Sequence, residues 1–207
     1  MTRSLTKAQS DLVQAWFGDR FSELHPRLQA LHIQGGQLTG QVSLAFGRGV
    51  AGVIGRRLAR KMGLPSAGDH HLRVSIFHDE HCLHWYRQFN QQETVESRFK
   101  PVGTLHQGYW LETTGPLTMR LTVDILNGAW HWRCLEVTLY GCPIPLWLIP
   151  KMEAYKTVED GRYRFHVSFS YPWLGAVFGP ELGPLVVYEG LLDLEELPAD
   201  AGRDRHE

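Results

Sequence analysis

Three glycines in the segment FGRGVAGVIGRR, residues 46–57, have the spacing Gly-x-Gly-x-x-Gly. In a dinucleotide-binding fold, this spacing lets the backbone approach a pyrophosphate at the start of a helix. The strand before that helix would be buried on both faces, yet residues 37–46 alternate polar with apolar side chains and no βαβ repeat follows. We therefore interpret Gly49 as a helix start, and Gly52 and Gly55 as points of close helix packing. We predict no cofactor.

The segment HDEHCLHW, residues 78–85, concentrates side chains of the types that bind metal ions. They are His78, Asp79, Glu80, His81, Cys82 and His84. The polar run in the middle is also the composition that a hairpin turn requires. We therefore predict a solvated turn between two strands, and no metal site.

Arg87 fits its predicted surroundings poorly. Alternation places it on the same strand face as Leu83, Trp85 and Phe89, which the core should cover. Because a guanidinium keeps its proton, a covered arginine needs an acidic partner, several carbonyls or an anionic ligand. Three interpretations stay open: an internal ion pair, a cavity where Arg87 meets the polar head of an apolar ligand, or reversed strand faces. Ser97 on the neighbouring strand would add a hydroxyl to such a site.

These considerations give a set of candidate ligand-binding residues and leave any catalytic residues unassigned. The candidates are Trp85, Arg87, Phe89, Ser97, Glu112 and Tyr188. No Gly-x-Ser-x-Gly nucleophile motif is present, and the serines fall within predicted strands. An enzyme would need at least two of Arg87, Ser97, Glu112 and Tyr188 to converge within hydrogen-bonding distance.

Two apolar segments are candidates for the lid or mouth of a cavity. The segment CPIPLWLIP, residues 142–150, is predicted to plug an open end of the sheet, with a cavity mouth or a docking patch as the alternative. The loop 171–185 is rich in glycine, proline and aromatic residues and is predicted to be a flexible lid. The lid or mouth residues would be Trp147, Trp173 and Phe178.

Helical periodicity predicts helices at residues 8–24 and 50–62. In the second helix, apolar residues share one side and cations cluster elsewhere: Arg56, Arg57, Arg60 and Lys61. Such a helix either lies on an anionic membrane surface or packs on a sheet with a solvated cationic face. We favour the packed helix.

Alternating strands dominate the rest of the chain. We predict a hairpin of strands 31–34 and 37–46, joined by Gly35-Gly36. Further strands are predicted near 71–77, 82–89, 94–100, 104–111, 117–126, 129–140, 162–171 and 184–193. Short connections require antiparallel pairing. The predicted fold is α+β but mostly β: a large antiparallel meander curled into a barrel-like, calycin-like shape with one or two packed helices.

The composition is that of an ordinary globular protein, with 207 residues, 43% hydrophobic and 21% charged, and a net charge of −1. That charge argues against a nucleic-acid partner. Three dispersed cysteines, no signal-peptide pattern and no apolar run of membrane-spanning length lead us to expect a cytoplasmic protein. We divide the chain into an N-terminal helix at 1–24, one β-rich domain at 25–194 and a polar, flexible tail at 195–207.

Several segments resemble the bacterial domain of unknown function 4166 over residues 25–193. They include GRGVAGVIGRRLARKMGLP, Trp85-x-Arg87-x-Phe89, Ser97, Gly115-Pro116-Leu117, LYGCPIPLWLIP, EDGRYRFHV and YEGLL. The most specific are Gly141-x-Pro143-x-Pro145 with Pro150, and Asp160-Gly161-x-Tyr163-x-Phe165. Members of that family are uncharacterised and supply no catalytic residues. Some relatives follow a nucleotide-dependent oxidoreductase domain, so the resemblance implies an accessory or substrate-handling module.

Three functional hypotheses follow. The leading one is a non-catalytic binding or accessory module whose cavity accepts a small apolar or amphiphilic ligand. The second is an enzyme of unknown reaction with acid–base groups in the same cavity. The third is an interaction domain for an oxidoreductase partner, acting through exposed apolar loops.

Overall fold

The computed structural model describes residues 7–91 and 93–195, and its main element is an antiparallel β-barrel. The strands are β1 (Gly36–Phe46), β2 (Gly68–His78), β3 (Leu83–Phe89), β4 (Glu93–Val102), β5 (Tyr109–Thr114), β6 (Leu117–Leu126), β7 (Ala129–Leu139), β8 (Cys142–Ile144), β9 (Lys151–Glu159), β10 (Arg162–Ser170) and β11 (Val186–Glu195). They pair in the order β6-β5-β4-β3-β2-β1-β11-β10-β9-β7, and β6 also pairs with β7, which closes a ring of ten strands. The short β8 pairs with β7. The predicted mostly-β barrel is confirmed.

Alternation of inward apolar residues with outward polar ones explains why these segments form the wall of a barrel. In β2, His70, Leu72, Val74 and Ile76 are buried, and the residues between them point outward. Asn127-Gly128 joins β6 to β7 with φ values of 51° and 77°, the left-handed pair that a tight hairpin turn needs. The hairpin turn predicted from Asn127-Gly128 is therefore confirmed.

Four α-helices and short 3₁₀ segments accompany the barrel. The helices are α1 (Lys7–Phe17), α2 (Pro26–Gln34), α3 (Gly49–Lys61) and α4 (Pro172–Phe178), with 3₁₀ turns at Gly18–Glu23, Leu146–Leu148 and Pro180–Leu182. None of the helices in the described part of the chain is long and apolar enough to cross a membrane. The predicted tail at 195–207 lies outside the described residues, apart from Glu195.

The predicted hairpin of 31–34 with 37–46 is wrong in its first strand. Residues 31–34 are the last turn of α2, whose buried residues Leu28, Leu31 and His32 have helical spacing. Pro26 begins this helix, where its missing amide proton is not needed. Gly35, with φ of 71°, ends the helix instead of forming a hairpin turn.

The connections divide the barrel into two ends, because successive antiparallel strands leave at opposite ends. The α1–α2 end is covered by residues 7–34. There Trp16 and Phe17 pack on Trp110 and Trp130, with ring centroids 5.3 Å apart for Trp16–Trp110 and 4.8 Å for Phe17–Trp130. The α3–α4 end carries α3, α4 and the turn at 146–148.

The glycines of the 46–57 segment have backbone roles, as the sequence analysis interpreted them. A Cβ at Gly55 would collide with the carbonyl of Leu185, and one at Gly52 with the carbonyl of Gly47. Gly55 therefore lets α3 lie directly against the chain that enters β11, and Gly52 lets it lie against the chain that leaves β1.

Two strands, β8 and β9, were absent from the sequence prediction. The inward residues of β9 are Met152, Ala154, Lys156 and Val158, and the lysine interrupts the apolar alternation. The prediction of a hydrophobic plug at 142–150 is also wrong. Leu146, Trp147 and Leu148 are 45%, 74% and 50% exposed, so this turn faces outward.

Candidate ligand cavity

The barrel encloses a cavity of about 140 Å³. Most of its walls are apolar, and Leu72, Met119, Phe165 and Phe169 are among the side chains that form them. An apolar cavity of this size accommodates a molecule as large as benzene. Met62 and Leu64, on the connection from α3 to β2, contribute to the lining, so the cavity extends toward the α3–α4 end.

A cluster of polar side chains lies on one wall of the cavity, where β3, β4 and β5 are adjacent. Arg87 Nη1 donates to Ser97 Oγ at 3.1 Å, and the hydroxyls of Ser97 and Thr114 are 3.2 Å apart. Glu112 lines the same cavity. Arg87 forms no ion pair within 4 Å with any described carboxylate, so this wall is not a closed salt bridge.

The position of Arg87 excludes one of its three interpretations. It lines the cavity beside Trp85, so the predicted strand face is correct and the reversed-face interpretation is wrong. Burial raises the pKa of Glu112, while Arg87, the Ser97 hydroxyl, Lys156 and the Thr114 hydroxyl all act to lower it. Burial prevails, so Glu112 is a carboxyl held toward its neutral form beside a fixed cation.

Lys156 is a buried amine on the cavity wall, 6% exposed. Its Nζ lies 2.9 Å from His32 Nε2, and 3.9 Å and 4.4 Å from the ring centroids of Trp85 and Trp130. His32 Nδ1 donates to the Leu28 carbonyl at 2.7 Å, so Nε2 is free to accept from Lys156.

The environment of Lys156 disfavours its charged form. Burial lowers the pKa of Lys156 well below its ordinary value, the charge of Arg87 lowers it further, and Glu112 acts in the opposite direction. The tryptophan faces attract a cation and offset part of this penalty. Burial and Lys156 likewise lower the pKa of His32.

The remaining candidate binding residues occupy different positions. Tyr188 is 6% exposed and lines the cavity, and burial raises the pKa of its hydroxyl. Phe89 is fully buried in the core and does not line the cavity. Trp147, Trp173 and Phe178 are all more than half exposed, at the α3–α4 end, and none lines the cavity. The structure therefore brings together Trp85, Arg87, Ser97, Glu112 and Tyr188.

The predicted turn after β2 holds the donor atoms of Asp79, Cys82 and His84 within 4.8 Å of one another. The Asp79 carboxylate accepts from the backbone amides of His81 and Cys82 at 2.8 and 2.7 Å and pairs with His84 Nε2 at 2.7 Å. Burial opposes ionisation, yet these bonds lower the pKa of Asp79 to about 2. The three side chains are the residues that could hold a metal, but their hydrogen bonds already explain the arrangement as a turn.

Sequence reasoning missed Lys156 and His32. Lys156 lies on a strand that was not predicted, and His32 was assigned to a strand instead of a helix. A lysine at an inward position between Ala154 and Val158 was the available signal.

The chain therefore folds as a closed antiparallel barrel, and its mostly apolar cavity contains a few buried polar side chains. The chain belongs to the family described as "Domain of unknown function (DUF4166)", whose model matches residues 24–192. No curated protein and no solved structure matches the chain.

Proposed function

We propose that the barrel is a binding module whose cavity accepts a small amphiphilic ligand with an anionic head. The observation that carries this proposal is Arg87, which lies in a mostly apolar cavity with Ser97 as its hydrogen-bond partner. A guanidinium has five N–H donors in a fixed arrangement that suits a carboxylate. Among the described residues, Ser97 alone accepts from Arg87, so a ligand oxygen would supply the missing acceptors.

The charges of the other cavity groups favour an anion over a cation as ligand. Burial holds Glu112 toward its neutral acid and Lys156 toward its neutral amine. Arg87 is then the fixed charge of the cavity, and a ligand carboxylate would neutralise it. The volume of about 140 Å³ limits the apolar body to a single ring or a short chain.

Free cysteines support the expectation of a reducing compartment for this module. Cys82, Cys134 and Cys142 are all free thiols. Persistent free thiols are typical of cytoplasmic proteins.

Calorimetric titration with benzoate and with benzyl alcohol tests the proposed head group, because the two probes share a ring and differ in charge. Arg87→Met should weaken benzoate binding roughly 10- to 100-fold, the loss expected for a charge-assisted hydrogen bond. It should leave benzyl alcohol binding nearly unchanged. Arg98→Met is the matched control, since Arg98 is exposed on the outer face of β4, next to Ser97 in sequence.

Two results would contradict the proposal. One is wild-type protein that binds neither probe. The other is an equal loss of benzoate binding in the Arg87 and Arg98 variants. Arg87→Lys, which keeps the charge, guards against a variant that fails to fold.

Acid–base catalysis in the same cavity is a second candidate, favoured by the opposite pKa shifts of Glu112 and Lys156. Raising the pKa of a carboxyl and lowering that of an amine brings both closer to neutral pH, where a general acid or base works best. Acetophenone dissolved in D₂O would then exchange its α-protons faster with wild-type protein than in buffer. Glu112→Gln and Lys156→Met would each abolish the acceleration, and no acceleration by the wild type would remove this candidate.

A further inference from the structure

The α3–α4 end of the barrel exposes large apolar side chains that a folded protein usually covers. Trp147 is 74% exposed, Val177 67%, Phe178 56% and Trp173 53%. On α3 itself, Val50 and Val53 are also exposed. Apolar side chains gathered at one end of a fold mark a surface that binds something.

Contacts between the segments make this a continuous surface. The Tyr171 hydroxyl donates to the Leu148 carbonyl at 2.8 Å, which ties the 146–148 turn to the start of α4. Ala51 of α3 and Leu174 of α4 belong to one buried cluster with Leu185. We call residues 48–61, 146–148 and 172–178 together the α3–α4 face.

The same face carries a group of cations without acidic partners. The exposed cations of α3 and its N-cap are Arg48, Arg56, Arg57, Arg60 and Lys61. None of them lies within 4 Å of a described carboxylate. Elsewhere on the surface most arginines pair with an aspartate or glutamate, as Arg73, Arg120, Arg133, Arg162 and Arg164 do. Exposed cations without an ion pair to a described carboxylate, such as Arg98, Lys100 and Lys151, also occur there, but not as a cluster on one helix.

We infer that the α3–α4 face docks on an anionic lipid surface. Tryptophan and phenylalanine side chains are stable at the boundary between lipid head groups and acyl chains. Cations beside them are attracted to anionic head groups, by about fivefold in affinity for each charge near the surface. The combination of exposed aromatic rings with unpaired arginines fits a surface that is both apolar and negative.

Docking in this orientation would turn the nearest end of the cavity toward the lipid. Met62 and Leu64 follow α3 directly and line the cavity, so the docked face borders its rim. An amphiphilic ligand would then pass between the lipid and the barrel with a short exposure to water. The docking itself does not depend on the cavity ligand.

Vesicle co-sedimentation tests the inference with two compositions: phosphatidylcholine alone, and three parts phosphatidylcholine to one part phosphatidylglycerol. Wild-type protein should bind the anionic vesicles and bind the neutral ones far more weakly. The double variant Arg56→Glu, Arg57→Glu should lose well over 25-fold in affinity, since removing two attractive charges alone costs roughly 25-fold and two repulsive charges are added. Trp147→Ala with Trp173→Ala should also lose about 10-fold or more.

Matched controls come from exposed residues away from the face. Arg98→Glu reverses a charge on the barrel wall, and Phe77→Ala removes an aromatic ring at the α1–α2 end. Both should bind anionic vesicles like the wild type. The inference is overturned if wild-type protein does not bind anionic vesicles, as expected for a face that binds only another protein. It is also overturned if the α3–α4 variants bind as well as the controls.

Discussion

The two ends of the barrel use the same types of residue in opposite ways. At the α1–α2 end, Trp16, Trp110 and Trp130 are at most 2% exposed and pack on each other and on α1. At the α3–α4 end, Trp147 and Trp173 are more than half exposed. Burial of an aromatic ring stabilises a fold, whereas exposure of one does not. The rings of the first end are part of the packing that holds the barrel together, whereas the rings of the second end lie at the surface.

The largest expected difference between the ends is in stability. Trp110→Ala should lower the free energy of unfolding by about 3–5 kcal/mol, because it leaves a cavity in a packed aromatic cluster. Trp147→Ala should change it by less than about 0.5 kcal/mol. Urea denaturation of both variants measures the difference. Equal losses would mean that the exposed ring is a structural one and that the comparison fails.

A smaller loss of stability is expected from the packing beneath α3, which is tight although the outer face of the same end is exposed. Gly55→Ala should cost about 1–3 kcal/mol, because its Cβ would collide with the Leu185 carbonyl and push α3 off the barrel. Gly175→Ala is the control: it is also helical, but nothing lies within 4 Å of its added Cβ. That variant should keep the stability of the wild type or gain slightly. Thermal unfolding of the two variants checks this, and an unaffected Gly55→Ala would rule out tight packing of α3.

The smallest effects should come from the buried groups between the two ends, through pH. The folded-state pKa of Glu112 is raised above 4.5, so its contribution to stability is full below that value and is lost as pH rises through the folded-state pKa. The pKa of Lys156 is lowered below 10.5 in the folded state, so the unfolded chain binds the extra proton and stability rises with pH up to that value.

The free energy of unfolding in urea, measured at pH values from 4.5 to 10.5, should show both trends in the wild type. Glu112→Gln should remove the first trend and Lys156→Met the second. Glu153→Gln and Lys151→Met are matched controls, because both residues are exposed on β9. If the control variants flatten the curves equally, the trends arise from surface charge and not from the cavity.

The barrel and one wall of the cavity could be predicted from the sequence, because both depend on local patterns. Arg87 was placed inside because Leu83 and Phe89 flank it with period two, and the structure buries both. Alternation in β6 and the Asn127-Gly128 turn were equally informative. These signals are local, so they can be seen without knowledge of distant contacts.

The contact of Lys156 with His32 could not be predicted, because it joins residues that only the folded chain brings together. His32 and Lys156 are far apart in sequence, and each lies in an element whose pattern is ambiguous. The stretch LHIQ is too short to separate a strand from the last turn of a helix. The segment 142–150 was predicted to be a plug because apolar residues usually cover a core, whereas here they face outward.

Native mass spectrometry of the protein purified from its own host tests the central claim most directly, by comparing native with denatured mass. The account predicts an additional small mass in the native state that is lost on denaturation and is absent from Arg87→Met. Arg98→Met should retain it. A native mass equal to that of the bare chain in the wild type, together with no binding of benzoate, would contradict a ligand-binding cavity.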